Sequence, residues 1–273
     1  MAREHAIHMH GAAAHYVDQL RQRGRVAFSL RELEQATGLS TIAARRQLAR
    51  LGRRIVRVMP RQPFFVIVDP EHQALGAPPP AWWLDAYFRW LRRPYYLALQ
   101  SAAAEHGSSV QAIQVTQVMT DAPRRDIVLG RVRVQFFVKR DVRSTPTQAP
   151  AQAFAPLALS TPEATVIDLV RYAQRIGGIE RVAETILPLL PRLKRPQLAE
   201  ALGPSPQIPT LQRLGYLFDA LGKPGLASTV RAGLTRALKP VPLDTGANLH
   251  LRRKPILDER WSVLVNASIK ALL

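Results

Sequence analysis

The stretch FSLRELEQATGLSTIAARRQLARLGRRIVRVMPRQPFFVIVD (28–69) decides the fold of the first third of this chain. Ser29, followed three residues later by Glu32, is a capping box that starts a helix running to about Thr37. Gly38 supplies the positive φ of a tight turn. Ser40 or Thr41 then caps a helix, TIAARRQLARL, ended by Gly52. RRIVRVM and FFVIVD read as two apolar strands joined around PRQP, where Pro60 and Pro63 suit a turn rather than a sheet interior. Upstream, AAAHYVDQLRQR (12–23) is a helix with Ala13, Tyr16, Val17 and Leu20 on one side, and 26–28 forms a short strand. The order helix, helix, tight turn, helix, hairpin is that of a winged helix-turn-helix. Helices this short are not stable alone, so Leu30, Leu33, Leu39, Ile42, Leu48 and Leu51 are expected to share one small core.

GAPPPA (76–81) is a stiff proline spacer and marks a boundary between a unit at 1–76 and a larger one at 77–273. AWWLDAYFRWL (81–91) and PYYLALQSAAAEHG (94–107) read as helices, the second ended by Gly107. AIQVTQVMT (112–120) and RDIVLGRVRVQFFVKR (125–140) alternate like three strands, with a bend at Gly130. STPTQAPAQAFAP (144–156) is an extended crossing segment. Beyond it, Ser160 and Glu163 suit a capping box, and ATVIDLVRYAQRI is a helix stopped at Gly177 and Gly178. IERVAETILPLL, 195–202, 210–221 and 226–238 are further helices, and WSVLVNASI (261–269) is a closing strand or helix. The expected fold class is α+β: a winged helix-turn-helix, then a larger mixed domain with a small sheet and a helical C-terminal part.

Lys and Arg number 38 against 20 acidic residues, a formal charge of +18, which calls for a polyanionic partner. The excess is concentrated. Arg45, Arg46, Arg50, Arg53, Arg54, Arg57 and Arg61 fall within seventeen residues, and no acid occurs between Thr41 and Val68. A helix in the major groove reads bases with its N-terminal and outward residues, which assigns that role to Ser40, Thr41, Ala44 and Arg45. Arg45 is the candidate for a bidentate contact to guanine, while Arg46, Arg50, Arg53 and Arg54 would grip phosphates. Arg61 and Gln62, at the hairpin tip, would enter or flank a minor groove. The competing reading is a solvated basic face on a module used for protein contact. Duplex RNA fits less well, because its major groove is too narrow for a helix.

Other chemistry is poorly supplied. With no cysteine, disulfides, thiolate nucleophiles and cysteine-based zinc sites are excluded. His5, His8 and His10 are close together but lack a firm fourth ligand, and His106 suits a bond to a carbonyl at its helix end. Asp121, Asp126 and Asp141 flank the predicted strands, and Asp168 sits on an apolar helix, facing solvent or paired with an arginine. Without a glycine-rich phosphate loop or an Asp-x-Asp pair, neither catalysis nor a cofactor or metal is expected. An enzyme would need those acids to converge on a divalent ion. Trp82, Trp83, Tyr87, Phe88, Trp90, Tyr95 and Tyr96 read as core, part of which docks the two domains. No stretch has the length of a membrane span or a secretion signal, so a cytoplasmic protein without a membrane partner is expected.

Taken in order, these pieces resemble the antitoxin component of abortive-infection type IV toxin–antitoxin systems. The resemblance rests on the helix-turn-helix with its wing, YYLALQSAAAEHG (95–107), IQVTQVMT (113–120) and STPEATVIDLVRY (160–172). It continues through Gly177-Gly178, QRLGYLFDALG (212–222) and DERWSVLVN (258–266). It implies a non-enzymatic, cytoplasmic phage-defence protein whose N-terminal domain represses its own operon at inverted repeats in the promoter. The C-terminal domain would counter a separate, nucleotidyltransferase-like toxin, without a stable complex being required. Arg171, Arg175, Arg192, Lys194, Arg195 and Arg213 are then the antitoxicity candidates. The alternative is a stand-alone winged-helix regulator whose C-terminal domain senses a ligand or mediates assembly.

Overall fold

A computed structural model describes residues 11–108, 114–203, 207–234, 237–246 and 255–269. His5, His8 and His10, the start of IQVTQVMT and most of the basic insert 246–260 lie outside the described residues. The N-terminal unit consists of α1 (Ala12–Gln22), β1 (Ala27–Ser29), α2 (Leu30–Thr37), α3 (Thr41–Arg50), β2 (Ile55–Met59) and β3 (Gln62–Ile67). The capping box of α2 is formed in both directions: Ser29 Oγ accepts from Glu32 N at 3.2 Å, and Glu32 Oε2 accepts from Ser29 N at 2.7 Å. Gly38 ends α2 at φ 68°, a conformation that a Cβ would strain. The strands form an antiparallel sheet in the order β1-β3-β2.

Under that sheet lie Tyr16, Val17, Phe28, Leu33, Leu39, Ala44, Leu48, Phe65 and Ile67, all buried. Ile42 is not among them and is 67 % exposed. The inward stripe of α3 is set by Ala44 and Leu48, and Ile42 stands about 200° round the helix from Ala44. Its assignment to the core is therefore corrected.

The C-terminal portion begins with α4 (Leu84–Leu91), β4 (Tyr95–Leu97), α5 (Leu99–Glu105), β5 (Thr116–Thr120), β6 (Ile127–Leu129) and β7 (Val132–Val138). After these come β8 (Thr147–Gln148) and β9 (Leu159–Ser160), and the sheet order is β6-β7-β5-β4-β9-β8. The three expected strands are present, with a tight turn at Gly130, but Tyr95–Leu97 is strand rather than helix. Aromatic residues behind a proline favour an extended chain, and Leu97 N reaches Ala158 O at 2.7 Å.

Alternation sends neighbouring residues to opposite faces of this sheet. Tyr96, Met119 and Phe137 face a helical layer of α6 (Pro162–Arg171), α7 (Gly178–Ile186), α8 (Arg195–Leu202), α9 (Ile208–Ala220) and α10 (Pro224–Ala232). Leu97, Val118 and Phe136 face α4 and the winged unit's Val58, Phe64 and Val66. Thr161, not Ser160, caps α6 through Ala164 N at 3.3 Å. Glu163 is buried and instead accepts from Lys194 N at 2.9 Å, tying α6 to the approach to α8.

The closing segment is strand, with β10 (Val241–Pro242), β11 (Ile256–Asp258) and β12 (Val263–Val265) ordered β10-β12-β11. Trp261 fixes this small sheet to α9. It is fully buried, and its indole donates to Asp219 Oδ2 at 2.6 Å. Gly215 makes room for it, because a Cβ there would lie 2.1 Å from the Trp261 ring. Alanine for glycine inside a helix ordinarily stabilises by about 0.8–1 kcal/mol. Here the clash reverses the sign, and Gly215→Ala is expected to lower stability by about 1–3 kcal/mol in urea denaturation. A gain in stability would show that Trp261 repacks freely.

Candidate nucleic-acid interface

On α3 the helical period separates two faces. Ala44 and Leu48 are buried, whereas Thr41, Ile42, Arg45, Arg46, Ala49 and Arg50 are exposed, as is the capping Ser40. Ala44 therefore supports the helix from inside and does not stand where a base would be met, which corrects its assignment as a contact residue. Ser40 holds the first turn by accepting from Ala43 N at 3.3 Å. Arg45, Arg46, Arg50 and Arg53 are exposed, and no ion pair or hydrogen bond to another described residue is formed by their guanidinium groups.

Two further assignments change. Arg54 is ion-paired to Asp18 of α1, so it braces α3's exit against the first helix and is not free for phosphate. Gln62 sits at the start of β3 and accepts from the Tyr87 hydroxyl at 2.5 Å, so it faces α4 rather than a groove. The tip itself is held open. Arg57 donates to Pro60 O at 2.9 Å and lies 5.3 Å over the Phe65 ring, leaving Arg61 exposed at the turn.

The aromatic cluster docks this wing, as the sequence suggests. Phe64 packs on Tyr87 and Trp90 at centroid distances of 5.4 Å each. Tyr87 also accepts from Arg124 at 3.2 Å, and burial, the largest influence, pushes its phenol above the usual range. Gly76 and Gly130 touch closely enough that a Cβ on Gly76 would lie 2.9 Å from Gly130 Cα, and Arg131 N donates to Leu75 O at 2.8 Å. Strand β6 thereby runs beside β2, with Arg125, Arg131 and Arg133 exposed on or next to the β6–β7 hairpin. The sequence reading passed over these three, although alternation in RVRVQ separates Arg131 and Arg133 from buried Val134.

The antitoxicity candidates fall into different environments. Arg192, Lys194 and Arg195 are exposed within four positions at the approach to α8, where Arg195 donates to Thr229 at 3.3 Å. Arg171 lies 3.8 Å from Asp141, and Arg175 stacks 4.1 Å over Phe137. Arg213 is half-buried and donates to Pro242 O at 2.8 Å, and burial lowers its pKa. It fastens β10 to α9 and is corrected from a surface contact to a structural bond.

The acids do not converge. Asp121 pairs with Arg93 at 3.0 Å, and Asp126 accepts from Phe136 N at 3.2 Å. Asp168 is fully buried and held by Lys139 at 3.1 Å and the Tyr96 hydroxyl at 2.7 Å, neither facing solvent nor paired with arginine. Among the described residues the one trio with metal-compatible spacing is Asp69, Glu71 and His72, and Arg21 at 2.5 Å already neutralises Asp69. His106 reaches not a carbonyl of its own helix but Ser160 O, at 2.7 Å. The carbonyl oxygen can only accept, so Nε2 donates that bond, and burial, the largest influence on the ring, lowers its pKa. No helix among the described residues is long and apolar enough to cross a membrane.

The crystal structure of the RV2827C protein from Mycobacterium tuberculosis shares this fold, at a TM-score of 0.68 over 96 % of this chain and 93 % of that one, with 17 % identity. No curated protein sequence matches the chain significantly. Residues 96–220, which hold the sheet strands β4 to β9 and the helices through α9, match the AbiEi antitoxin C-terminal domain. The match on that segment supports an AbiEi-type antitoxin of an abortive-infection toxin–antitoxin system.

Proposed function

We propose that the protein is the autorepressor and antitoxin of a type IV toxin–antitoxin system, acting in the cytoplasm and without catalysis of its own. The unit at 1–76 binds double-stranded DNA at inverted repeats in its own promoter. The unit at 77–273 counters a separately encoded, nucleotidyltransferase-like toxin. The observation that carries the DNA-binding part is the outward stripe of α3. Arg45 and Arg46 stand there without a partner among the described residues, opposite a buried Ala44–Leu48 face, on a helix with no acid in it. Unpaired guanidinium groups on a helix set beside a wing suit bases and phosphates better than an apolar partner surface.

The antitoxin part is supported by the AbiEi domain match and by the exposed Arg192, Lys194 and Arg195. Two assays separate the roles: repression of a reporter driven by the native promoter, and survival of cells expressing the neighbouring toxin gene. Arg45→Ala is expected to release the reporter while still rescuing growth. The triple variant Arg192→Ala, Lys194→Ala, Arg195→Ala is expected to keep repression and lose rescue. Survival is the readout because a stable complex is not required. Rescue by the triple variant equal to wild type would remove that patch from the account, and repression unaffected by Arg45→Ala would count against operator reading.

A further inference from the structure

Ile42 is 67 % exposed, and among the described residues it is the one exposed large hydrophobic carried by a helix. Isolated apolar side chains are ordinary on protein surfaces, so exposure alone says little. Its neighbours say more. Ile42, Arg45, Arg46 and Ala49 stand at i, i+3, i+4 and i+7, and all four are exposed on the stripe opposite Ala44 and Leu48. Ile42 is in the first turn of α3, the part of a recognition helix that enters deepest into a major groove. Within the groove the one apolar group a base pair presents is the C5-methyl of thymine. A β-branched side chain has one strongly preferred rotamer on a helix, so it meets such a group with little ordering cost.

We infer that Ile42 reads the C5-methyl group of a thymine, close to the base pair contacted by Arg45. Three residues separate the two side chains, about 4.5 Å along the axis. That places the thymine within one or two base steps, at about 3.4 Å each, of the pair read by Arg45. The inference rests on the DNA-binding reading and adds a base identity to it. It also accounts for an isoleucine where solvation alone would favour a polar residue.

The test uses the full chain and its own promoter, amplified once with thymidine and once with deoxyuridine, which pairs identically but lacks the methyl. Wild type is expected to bind the uracil duplex about fourfold more weakly for each methyl contacted. Ile42→Ala, whose change is outside the core, is expected to bind the thymine duplex more weakly and to show no difference between the two duplexes. Equal affinity of wild type for both duplexes would overturn the inference while leaving promoter binding intact. So would an Ile42→Ala variant that retains the wild-type ratio, since the discrimination would then come from the DNA's own shape. Failure of wild type to prefer its promoter over a scrambled duplex would instead overturn the DNA-binding reading, and this inference with it.

Discussion

Asp168→Ala is expected to destabilise the protein by about 3–5 kcal/mol, the cost of leaving a buried charge without its partner. Asp168 and Lys139 are both buried and 3.1 Å apart, between α6 and the end of β7. The Tyr96 hydroxyl donates to the second carboxylate oxygen at 2.7 Å. Burial, and after it the Asp168 carboxylate, pushes that phenol well above its ordinary value, so it remains a donor throughout the neutral range. Lys139 would be left with Asp141, 3.9 Å away on the surface, too solvated to replace the lost carboxylate. The cluster joins β4, β7 and α6, so its loss loosens the helical layer from the sheet. Urea denaturation of Asp168→Ala checks the magnitude. The double variant Lys139→Met, Asp168→Leu is expected to recover part of the loss, because two apolar groups leave no charge unpaired while the Tyr96 hydroxyl still loses its acceptor. A single variant within 1 kcal/mol of wild type, an estimate well under the buried-pair range, would mean that water reaches the pair.

Arg45→Ala is expected to weaken promoter binding by about 1–3 kcal/mol, roughly five- to 150-fold, while leaving affinity for scrambled DNA nearly unchanged. The asymmetry follows from its position. Arg45 is exposed in mid-α3 with no competing acid, so its fork of donors is available to one base edge. Arg53 lies beyond the end of the helix and is assigned to phosphate, so Arg53→Ala should weaken both duplexes alike and flatten the salt dependence by about one phosphate. Arg54→Ala differs again. Its ion pair to Asp18 makes its loss a question of how α1 and α3 are braced. The comparison is made by fluorescence anisotropy. Equal losses on both duplexes for Arg45→Ala would reassign it from reading bases to gripping phosphate.

The helix-turn-helix could be read from sequence because its determinants are local. Ser29 and Glu32 are three residues apart, Gly38 turns the chain alone, and α3's period is written in ten residues. The sheet strands β5 to β7 were equally plain, since alternation identifies them within one window. What escaped was set by partners distant in sequence. The strand Tyr95–Leu97 is fixed by pairing with β5 and β9, and three residues show no period of their own. Lys139, the partner of Asp168, and Tyr96, 72 residues away, are not recognisable in advance as one cluster. The exposed Ile42, the inward Ala44 and the inward Gln62 were misplaced for a related reason. Composition suggested their roles, but the phase of α3 and the docking of α4 against the wing decided them. In the antitoxin portion the arginines could be counted but not sorted, because only tertiary structure separates Arg213, bonded to Pro242, from Arg192 and Lys194 in solvent.

Whether the outward face of α3 reads DNA in sequence is tested most directly by binding of the wild-type chain to its own promoter against a scrambled duplex of equal length, over a salt series. Tighter binding to the promoter by a factor of about 10³ or more is expected. Log affinity is expected to fall linearly with log salt on both duplexes, with a slope of about −0.9 per phosphate contacted. Superimposable curves for the two duplexes, or no binding to either, would contradict sequence reading by α3 and leave the winged unit as a protein-contact module.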